Sequence, residues 1–500
     1  MNIQFSDTKD GFKTFSIDNV YFHSKYAPLT EAQRFAQGIT LPYKPKIIFL
    51  IEPGLSYCFH FIKDKFPESK IAAIRLIDYD FPKSDIYDAN IFYPDIKSFK
   101  NFLIQTFGEE SLLSSAIFTW PAAQNVFADQ VHEILSLYKE ALTDCKTLLV
   151  TRQFFEKKWL TNCLNFIENV NSFVFMQDKI PVPVVVCASG PSLVPCLEAL
   201  KKNQNKVFVI ALSSALCVLI KNEIIPDLVL STDGGFWAGE HLKCLVKNSG
   251  IPVACPAEAF IPKKILKKNP VLALEYDDNS SFISTEILTK CRIYTQAAFR
   301  NPTVSGTAIY FANSITDKQV YFLGLDLHEN PGLQHSKPNE LEKNNSIFET
   351  RLTNKETRNT RSRFNSKSLK IYEEWFSCIN DIRILKNTVR VIDSRFKNNT
   401  LGNIRDIDSL SFIKELQKLT ACDTDKKTFF KTESKDISAD QKNCVFEYVL
   451  EQLDTKKWQK QLFPADVISL ENSMNGEAEE KRLIQKIELL KSKIRKLQNV

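Results

Sequence analysis

The sequence predicts an α/β protein organised around an open parallel sheet. Apolar runs recur through the middle of the chain with helical segments between them, and strands that alternate with helices are typical of parallel sheets. Several of the runs are apolar at every position, as expected of strands buried on both faces. The runs are residues 182–187, 207–212, 228–231, 253–255, 271–276 and 320–325. We therefore expect a central Rossmann-like domain.

The length of 500 residues exceeds what a single hydrophobic core supports and indicates about three domains. Residues 1–150 are expected to form a smaller Rossmann-like α/β domain with a structural or partner-binding role. Residues 175–405 form the expected central domain, after a helical connector. Residues 406–500 are polar and rich in lysine, and they predict a helical C-terminal region that ends in a short heptad helix.

The composition disfavours several classes of function. Basic and acidic residues are nearly balanced at 65 and 59, so no basic surface for nucleic acid is indicated. The 12 cysteines include no Cys-x-x-Cys pair and many lie in apolar runs, as reduced buried thiols do. The polar N-terminus does not resemble a signal peptide, and the apolar stretch 207–220 is too short to span a bilayer. We expect a cytoplasmic protein without membrane insertion.

The N-terminal region reads as a βαβ unit. The strand-like run 46–51 leads into a turn at residues 52–56, a helical stretch follows, and a second run spans 71–77. The turn resembles a dinucleotide-binding glycine loop, but Gly54 is its only glycine. Glu52 would also place a negative charge where a phosphate should lie. A structural or partner-binding role is therefore preferred, and a small-molecule site is the alternative.

The C-terminal end of the chain carries an apolar stripe at heptad spacing, which is typical of a helix that pairs with another helix. The stripe consists of Leu483, Ile487, Leu490, Ile494 and Leu497. It predicts either a homo-oligomer formed through this helix or docking of the helix onto its own chain.

The turn after the run 182–187 is the first candidate ligand site. Gly190 permits close backbone approach and a positive φ. Ser192 is a suitable N-cap, and Pro195 falls in the first turn of the following helix. A helix N-terminus with free N–H groups behind a strand end is a ready phosphate site. An ordinary βα turn is the alternative interpretation of a single glycine.

Two aspartates follow other strands of the predicted sheet. Asp233 comes after the run 228–231, and Asp326 comes directly after the run 320–325. Because the carboxyl ends of parallel strands line the ligand crevice, we expect both near Gly190. Either carboxylate would contact a ribose or a divalent cation, with Mg²⁺ as the candidate and no cofactor certain.

A second helix start and a loop with two histidines complete the candidate site. Ser305, Thr307 and the amides at the start of an apolar helix are expected to hold a second anionic or polar group, and capping is the alternative for Thr303 or Ser305. His328 and His335 follow the strand that ends at Asp326, and histidine exchanges protons near neutral pH. No His-Glu-x-x-His or Cys/His spacing indicates zinc. The basic stretch 351–370 is either a lid over an anionic substrate or a solvated loop.

Four segments of the chain resemble the bacterial motility accessory factors, which share a domain with archaeal 6-hydroxymethylpterin diphosphokinases. The segments are residues 21–28, 184–193, 226–233 and 321–335. The central domain is in turn similar to a class of bacterial sialyltransferases, through Gly190-Pro191-Ser192-Leu193, Ser305-Gly306 and Gly324-Leu325-Asp326.

The resemblance implies an activity and a set of site residues. The activity is transfer of a nonulosonic (sialic-acid-like) sugar from its CMP donor to Ser or Thr of flagellin, needed for flagellar assembly and motility. The sialyltransferases carry tyrosines where this chain has the loop with His328 and His335, a departure that leaves the catalytic assignment open. His335 and His328 are the expected catalytic residues because histidine exchanges protons near neutral pH. The expected nucleotide-binding residues are Ser189, Gly190, Pro191, Ser192, Ser213, Asp233, Gly234, Thr303, Ser305, Gly306 and Asp326.

Two alternative functions stay open at this stage. One is a pterin diphosphokinase that uses the same loop with Mg²⁺ and ATP. The other is a flagellin-binding assembly factor without catalytic activity.

Overall fold

The computed structural model describes residues 3–78, 87–276, 282–328, 335–352, 367–422, 424–432, 437–473 and 476–498. The chain divides into two compact units. The first comprises Met1–Glu156 and Leu453–Leu490, and the second comprises Lys157–Gln452 and Lys491–Val500. The C-terminal residues, expected to form one helical region at 406–500, are thus shared between the two units.

The first unit contains two small sheets. An antiparallel sheet is formed by β1 (Ile3–Asp7), β2 (Lys13–Ile17) and β3 (Val20–Tyr21). A parallel sheet in the order β6-β5-β4-β7 is formed by β4 (Ile47–Ile51), β5 (Lys70–Arg75), β6 (Ala89–Phe92) and β7 (Ser115–Thr119). This sheet contains the βαβ unit expected from the sequence, because β4 and β5 pair in parallel and the chain between them forms a helix.

The helices of this unit begin with α1 and are listed here in chain order: α1 (Pro28–Gly38), α2 (Cys58–Lys65), α3 (Phe99–Phe107), α4 (Glu109–Leu113), α5 (Pro121–Val126) and the long α6 (Ala128–Asn169), whose last residues belong to the second unit. Three helices close the chain: α18 (Lys456–Leu462), α19 (Pro464–Glu471) and α20 (Glu477–Gln498). Among the described residues, none of the helices has the length and apolar character needed to cross a membrane.

The turn after β4 is occupied by the protein's own side chains. Glu52 is fully buried, pairs with Arg75 at 3.2 Å and accepts the N–H of Leu76 at 2.7 Å. Arg75 also donates to the carbonyl of Gly54 at 2.8 Å and to Ser56 Oγ at 2.8 Å. A buried carboxylate paired with arginine fills the place of a phosphate, which supports a structural role for this turn.

His23 holds the same turn from the other side. Its Nε2 accepts the N–H of Leu55 at 2.8 Å. Gly54 adopts a φ of +57°, and a Cβ there would lie 2.4 Å from His23 Nε2, so only glycine fits. The segment 21–28, which carried part of the family resemblance, therefore has a packing function at His23.

The second unit is built on a parallel sheet in the order β14-β13-β12-β11-β10-β9-β15-β16-β17. Its strands are β9 (Val184–Cys187), β10 (Phe208–Leu212), β11 (Leu228–Leu230), β12 (Val253–Pro256), β13 (Val271–Tyr276), β14 (Gln296–Ala298), β15 (Val320–Leu323), β16 (Thr388–Ile392) and β17 (Arg405–Asp408). A separate antiparallel pair joins β8 (Val174–Phe175) to β18 (Lys431–Thr432). The six strands expected from apolar runs are all present, and the α/β class with an open parallel sheet is confirmed.

Helices connect and cover these strands. They are α7 (Leu197–Asn203), α8 (Leu216–Lys221), α9 (Phe236–His241), α10 (Lys263–Leu266), α11 (Phe282–Cys291), α12 (Val304–Ile315), α13 (Glu340–Ile347), α14 (Lys367–Ser377), α15 (Ile382–Asn387), α16 (Ser409–Lys418) and α17 (Ala439–Gln452). The unit also contains the short 3₁₀ helices Pro191–Cys196, Ser213–Ala215 and Lys243–Val246.

The order of the strands creates a topological switch point at β9. From β9 the chain winds outward through β10 to β14 and then returns to place β15 on the other side of β9. In open α/β sheets the ligand crevice lies outside the carboxyl ends of the strands at such a point. The loops after β9, β10 and β15 therefore border the candidate ligand crevice.

The heptad stripe of α20 is buried within the chain. Leu483, Ile487, Leu490 and Ile494 are each less than one-tenth exposed. Of the two alternatives drawn from the sequence, the structure shows docking of this helix onto its own chain.

Candidate functional site

The loop after β9 differs from the expected phosphate cradle. Gly190 has a φ of −64°, and Ser192 lies inside the 3₁₀ helix Pro191–Cys196 instead of capping an α-helix. Pro195 lies in the same 3₁₀ helix, before α7 begins. The prediction of a positive φ at Gly190 and of an N-cap at Ser192 was therefore wrong. This short segment contains two prolines, Pro191 and Pro195, which favour the tighter 3₁₀ geometry over a regular first turn of an α-helix.

Close backbone approach at Gly190, in contrast, is required. A Cβ at this position would lie 2.5 Å from Asp326 Oδ2 and 2.5 Å from the carbonyl oxygen of Gly324. The Gly190 N–H also donates to that carbonyl at 2.9 Å. The loops after β9 and β15 are thus pressed together at the switch point, and a side chain at position 190 would separate them.

Asp326 fastens this contact. Its Oδ2 accepts the backbone N–H of Ser192 at 3.0 Å, and the side chain is buried. Burial raises the pKa of Asp326, because the hydrogen bonds from Ser192 and the charge of Arg390 offset only part of the desolvation. The aspartate therefore holds the loop, and the N–H of Ser192 is taken by a protein carboxylate. The contact uses Oδ2 alone, so contact of Asp326 with a ribose or a cation stays a prediction, whereas the Ser192 N–H is directed at a protein carboxylate and not at a phosphate.

Asp233 lies apart from Asp326. It is exposed, and its Oδ1 accepts the N–H of Gly235 at 2.8 Å in a turn before α9. β10 and β9 separate the two strands that the aspartates follow, so at about 4.8 Å per strand they lie ~14 Å apart. That distance is too great for one cation to be shared. Within the described ranges, no group of three or more His, Cys, Asp or Glu side chains could hold a metal ion.

Gly234 has a packing function. A Cβ on Gly234 would lie 2.8 Å from Trp159 Nε1 and 3.2 Å from the carbonyl oxygen of Glu258. Asn162 donates to the same carbonyl at 2.8 Å. The glycine lets the end of α6 approach the strand ends, which explains the residue without a nucleotide.

Three loops meet at the expected crevice through a set of serine contacts. Ser214 Oγ donates to Ser189 Oγ at 2.9 Å, which joins the loops after β10 and β9. Ser336 donates its N–H to the carbonyl of Ser189 at 2.7 Å and its Oγ to the carbonyl of Gly190 at 2.8 Å. Asn339 donates to the carbonyl of Ser214 at 3.0 Å. We call this set of four residues with Gly190 the serine junction.

The serine junction includes residues that the sequence did not single out. Ser213 was expected to bind nucleotide, but it is buried in the 3₁₀ helix Ser213–Ala215, and its neighbour Ser214 makes the contact. Ser189 and Gly190 are members and Pro191 is half-buried beside them; contact of these three residues with a nucleotide stays a prediction. The position of Ser336 directly after His335 was a signal that could have pointed to it.

His335 is placed at the edge of the serine junction. Its Nδ1 lies 3.6 Å from Glu342 Oε1, and its backbone N–H donates to the same oxygen at 3.2 Å. The imidazole side chain is 24% exposed, so one side faces solvent while Glu342 is buried. Glu342 thus holds the backbone at His335, while the 3.6 Å between Nδ1 and Oε1 is longer than a hydrogen bond. A partly exposed imidazole beside a buried carboxylate is a candidate for general acid–base chemistry.

His328 and His241 differ in how they were found. His328 is half-buried, and residues 329–334 that follow it lie outside the described residues. His241, at the end of α9, was missed by the sequence analysis. Burial lowers the pKa of His241, and the charge of His335 lowers it further. The position of His241 on α9, the helix that follows Asp233, could have pointed to it in the sequence.

The start of α12 forms a second part of the candidate site. Thr303 is the N-cap residue, and its carbonyl, not its side chain, accepts the N–H of Gly306 at 2.9 Å. Ser305 is buried in the first turn. A Cβ on Gly306 would lie 2.7 Å from Asn301 Cβ and 3.0 Å from Trp375. Gly306 is thus explained by packing, and Ser305 and Thr303 stay candidates for ligand contact.

An arginine between aromatic rings lies near this helix start. Arg300 donates to Glu258 at 2.8 Å, and its guanidinium lies 4.3 Å from the ring centre of Tyr276 and 5.4 Å from that of Trp159. Ser284 Oγ donates to the other oxygen of Glu258 at 2.7 Å. Such cation–π contacts orient the guanidinium. The sequence analysis did not single out this cluster. The position of Glu258 shortly after β12 could have pointed to it.

The basic stretch expected at 351–370 is only partly described. Residues 353–366, which include Lys355, Arg358, Arg361 and Arg363, lie outside the described residues. Arg351 is exposed, and Lys370 lies 3.9 Å from Glu374. The choice between a lid and a solvated loop stays a prediction.

Comparison with known proteins places Ser189, Gly190 and Ser214 of the serine junction in a described family domain, and Ser336 and Asn339 lie after the matched range. Residues 157–331 match the family model described as 6-hydroxymethylpterin diphosphokinase MptE-like. An uncharacterized protein of Treponema pallidum (strain Nichols) is 29% identical over 295 residues, which are 58% of this chain and 63% of that protein. The match thus spans less than two thirds of the relative's length.

A solved structure shares the fold. The MAf glycosyltransferase from Magnetospirillum magneticum AMB-1 aligns with a TM-score of 0.50 at 12% identity, covering 99% of this chain and 90% of that one. At this identity the likeness concerns the fold alone. The chain therefore carries an MptE-like domain within a MAf-like fold, which confirms the resemblance drawn from the sequence at the level of domain and fold.

Proposed function

We propose that this protein is a glycosyltransferase that moves a nonulosonic sugar from a CMP donor to Ser or Thr of flagellin. The observation that carries the proposal is the serine junction at the switch point of the sheet, with the partly exposed imidazole of His335 at its edge. The MptE-like domain and the fold of a protein described as a glycosyltransferase support a transferase. The sugar, the acceptor and the role in motility rest on the family resemblance of the sequence.

The nucleotide is proposed to lie outside the carboxyl ends of β9, β10 and β15, where Ser189, Gly190 and Pro191 form the floor. Because Asp326 already accepts the N–H of Ser192, that amide is left out of the proposal. The donor phosphate is instead proposed to meet the N-terminal end of the 12-residue helix α12, at Ser305 and the positive end of the helix dipole. Those groups stabilise charge on the departing phosphate as the glycosidic bond breaks.

His335 is proposed to move the proton. In the transfer, the bond from the anomeric carbon to the phosphate oxygen of CMP breaks, and a bond to the acceptor oxygen forms. The hydroxyl proton of the acceptor passes to the imidazole of His335, which lies beside the carboxylate of Glu342. His328 is the alternative for this role, and Asp233 is proposed to contact the ribose because its carboxylate is exposed.

The experiment combines purified protein, a CMP-nonulosonate and flagellin, with intact mass of flagellin as the readout. We expect a mass increase of one or more sugar residues, and His335→Gln to reduce it strongly. His132→Gln is the matched control, because His132 is an exposed histidine of the first unit. Unchanged flagellin mass with the unmodified enzyme, or full activity of the His335→Gln variant, would contradict the proposal.

A pterin diphosphokinase is the second candidate, because the matched family model carries that description. Calorimetry with CMP, ATP and GTP separates the two. Binding of CMP favours the glycosyltransferase, and binding of ATP with Mg²⁺ followed by pyrophosphoryl transfer to a hydroxymethylpterin favours the kinase. Absence of nucleotide binding favours a flagellin-binding assembly factor. Chelation with EDTA tests whether Mg²⁺, the candidate cofactor, takes part in the reaction; the described residues contain no group of three or more His, Cys, Asp or Glu that could hold a metal ion.

The setting of the reaction is part of the same proposal. We place the transfer in the cytoplasm, with flagellin modified before export. The protein is proposed to act without nucleic acid. The molecular mass in solution tests whether it forms a homo-oligomer through the C-terminal helix.

A further inference from the structure

Two cysteines lie side by side next to the serine junction. Cys217 is on α8, Cys244 is on the 3₁₀ helix Lys243–Val246, and their sulfur atoms are 3.0 Å apart. A disulfide has an S–S length of about 2.05 Å, so a shift of ~1 Å joins them. Both side chains are half-buried, which leaves the sulfurs within reach of a small oxidant.

The surroundings of this pair differ from those of the cysteines in the sheet. Burial raises the pKa of Cys187 and of Cys255, which keeps those thiols protonated and unreactive. The contact between the two sulfurs lowers the pKa of Cys217 and raises the pKa of Cys244. One thiol thus supports the thiolate of the other, as in a dithiol that reacts with oxidants.

The two sulfurs belong to segments that form the crevice. α8 directly follows the 3₁₀ helix Ser213–Ala215, whose Ser214 contacts Ser189. Cys244 follows α9, the helix that begins after Asp233. Both sulfurs contact the carbonyl oxygen of His241, at 3.7 and 3.8 Å. A covalent bond between them would join the strand-end loops of β10 and β11.

We propose that Cys217 and Cys244 form a reversible disulfide on exposure to a peroxide, and that this bond restrains the loop of Ser214 beside the nucleotide crevice. The Cys217 thiolate attacks one peroxide oxygen, so an S–O bond forms, the O–O bond breaks and hydroxide leaves. The Cys244 sulfur then attacks the Cys217 sulfur and gives up its proton, so the S–S bond forms and water leaves. In sum, two thiols are oxidised, one peroxide is reduced to two waters, and an external dithiol reverses the reaction.

The experiment treats the folded full-length protein with hydrogen peroxide, alkylates the remaining thiols and maps the peptides by mass spectrometry. We expect a peptide pair linked through Cys217 and Cys244, lighter by two hydrogens and restored by dithiothreitol. In Cys244→Ser, Cys217 should be trapped as a sulfenic acid that dimedone labels. Cys378 is the internal reference, because it is exposed and lies on another segment.

A second measurement checks the restraint itself. Hydrogen exchange of the backbone around Ser214 should slow on oxidation in the unmodified protein and stay unchanged in Cys217→Ser. The proposal is overturned if both thiols are still alkylated after Cys378 has been oxidised, or if the linkage appears only in denaturant. These readouts do not involve sugar transfer, so the proposal goes beyond the proposed function and stands or falls separately from it.

Discussion

The backbone N–H of Ser192 donates to the carboxylate of Asp326 at 3.0 Å, which ties the loop after β9 to the end of β15. The two strands are neighbours in the sheet, and this bond lies at the point where the winding of the chain reverses. The carboxylate thus does inside the protein what a ligand phosphate does at a free helix N-terminus. Its removal should therefore reveal how much of the crevice depends on it.

We expect Asp326→Ala to lower the free energy of unfolding by about 1–3 kcal/mol, because the buried N–H of Ser192 loses its acceptor. Asp326→Asn keeps an acceptor oxygen and should lose less. Urea unfolding of both variants at neutral pH measures the difference. Equal losses for alanine and asparagine would show that the hydrogen bond is not the cause.

The pH dependence of the same residue has a defined sign. Burial raises the pKa of folded Asp326 above its unfolded value of 3.8, so the folded state holds the proton more tightly. The resulting stability is present below pH 3.8 and is lost as the pH rises through the folded-state pKa. In Asp326→Asn this contribution should vanish, and the difference between the two unfolding curves against pH should show it.

Gly190→Ala should damage both stability and nucleotide binding. Its Cβ would lie 2.5 Å from a backbone carbonyl and from the Asp326 carboxylate, so the β9 and β15 loops must move apart. We expect a loss of roughly 1–3 kcal/mol, as for other overpacked sites, and about tenfold or more in CMP affinity by calorimetry. Gly38→Ala is the matched control, since a Cβ at Gly38 meets nothing within 4 Å. Similar behaviour of the two variants would argue against a tight loop contact.

His23 should make the first unit sensitive to acid. Burial, and then the charge of Arg75, lower the pKa of His23 from 6.5 to about 3. The unfolded chain therefore takes up this proton first as the pH falls. Between pH 6.5 and 3, this removes ~1.4 kcal/mol of stability per pH unit.

The matched variant for this prediction is His23→Gln. Its amide oxygen can accept the N–H of Leu55 in place of Nε2, but it does not titrate. Unfolding measured from pH 7 to 4 should show a shallower loss in His23→Gln than in the unmodified protein. Parallel curves would mean that His23 is protonated in the folded state as readily as in the unfolded one.

Arg300→Lys should destabilise the second unit by about 1–2 kcal/mol. Lysine retains the charge but loses the planar contacts with Tyr276 and Trp159 and the geometry of the bond to Glu258. Arg383→Lys, at a side chain that is 89% exposed, should have almost no effect. Denaturant unfolding compares the two, and a neutral result at Arg300 would show that the aromatic contacts contribute little.

The α20 stripe gives a matched pair of variants on one helix. Ile487→Ala should lower the free energy of unfolding by about 2–4 kcal/mol because Ile487 is buried, whereas Ile484→Ala should be nearly neutral because Ile484 is 51% exposed. Light scattering during size-exclusion chromatography should show the same molecular mass for both. A change of oligomeric state in Ile487→Ala alone would favour pairing between subunits.

The strands of the second unit show what could be predicted from the sequence. β9, β10 and β15 are buried at every residue, so their apolar runs were visible. The sequence analysis missed β16 and β17 because β16 contains Arg390 and three of the four residues of β17 are charged. Arg390 is buried and pairs with Asp406 of β17 at 2.6 Å, so only the folded sheet reveals its compatibility with a strand.

The candidate site was predicted in outline and corrected in detail. The sequence located the crevice, because Gly190 and Asp326 follow apolar strands and the ends of parallel strands share one edge. It did not show that Asp326 would accept the N–H of Ser192, or that Ser336 would bond to the Ser189 loop. Both contacts join residues more than 130 positions apart, and no local pattern encodes such a pairing.

The strand order also has a consequence for synthesis on the ribosome. Gly190 is translated 136 residues before Asp326, an interval of roughly 7–27 s at ~5–20 residues per second. During that time β9 to β14 can emerge and pair, while β9 keeps one edge without its β15 neighbour. An open strand edge invites pairing with other chains. Nascent chains of this protein should therefore need protection most strongly until Val320–Leu323 has left the exit tunnel.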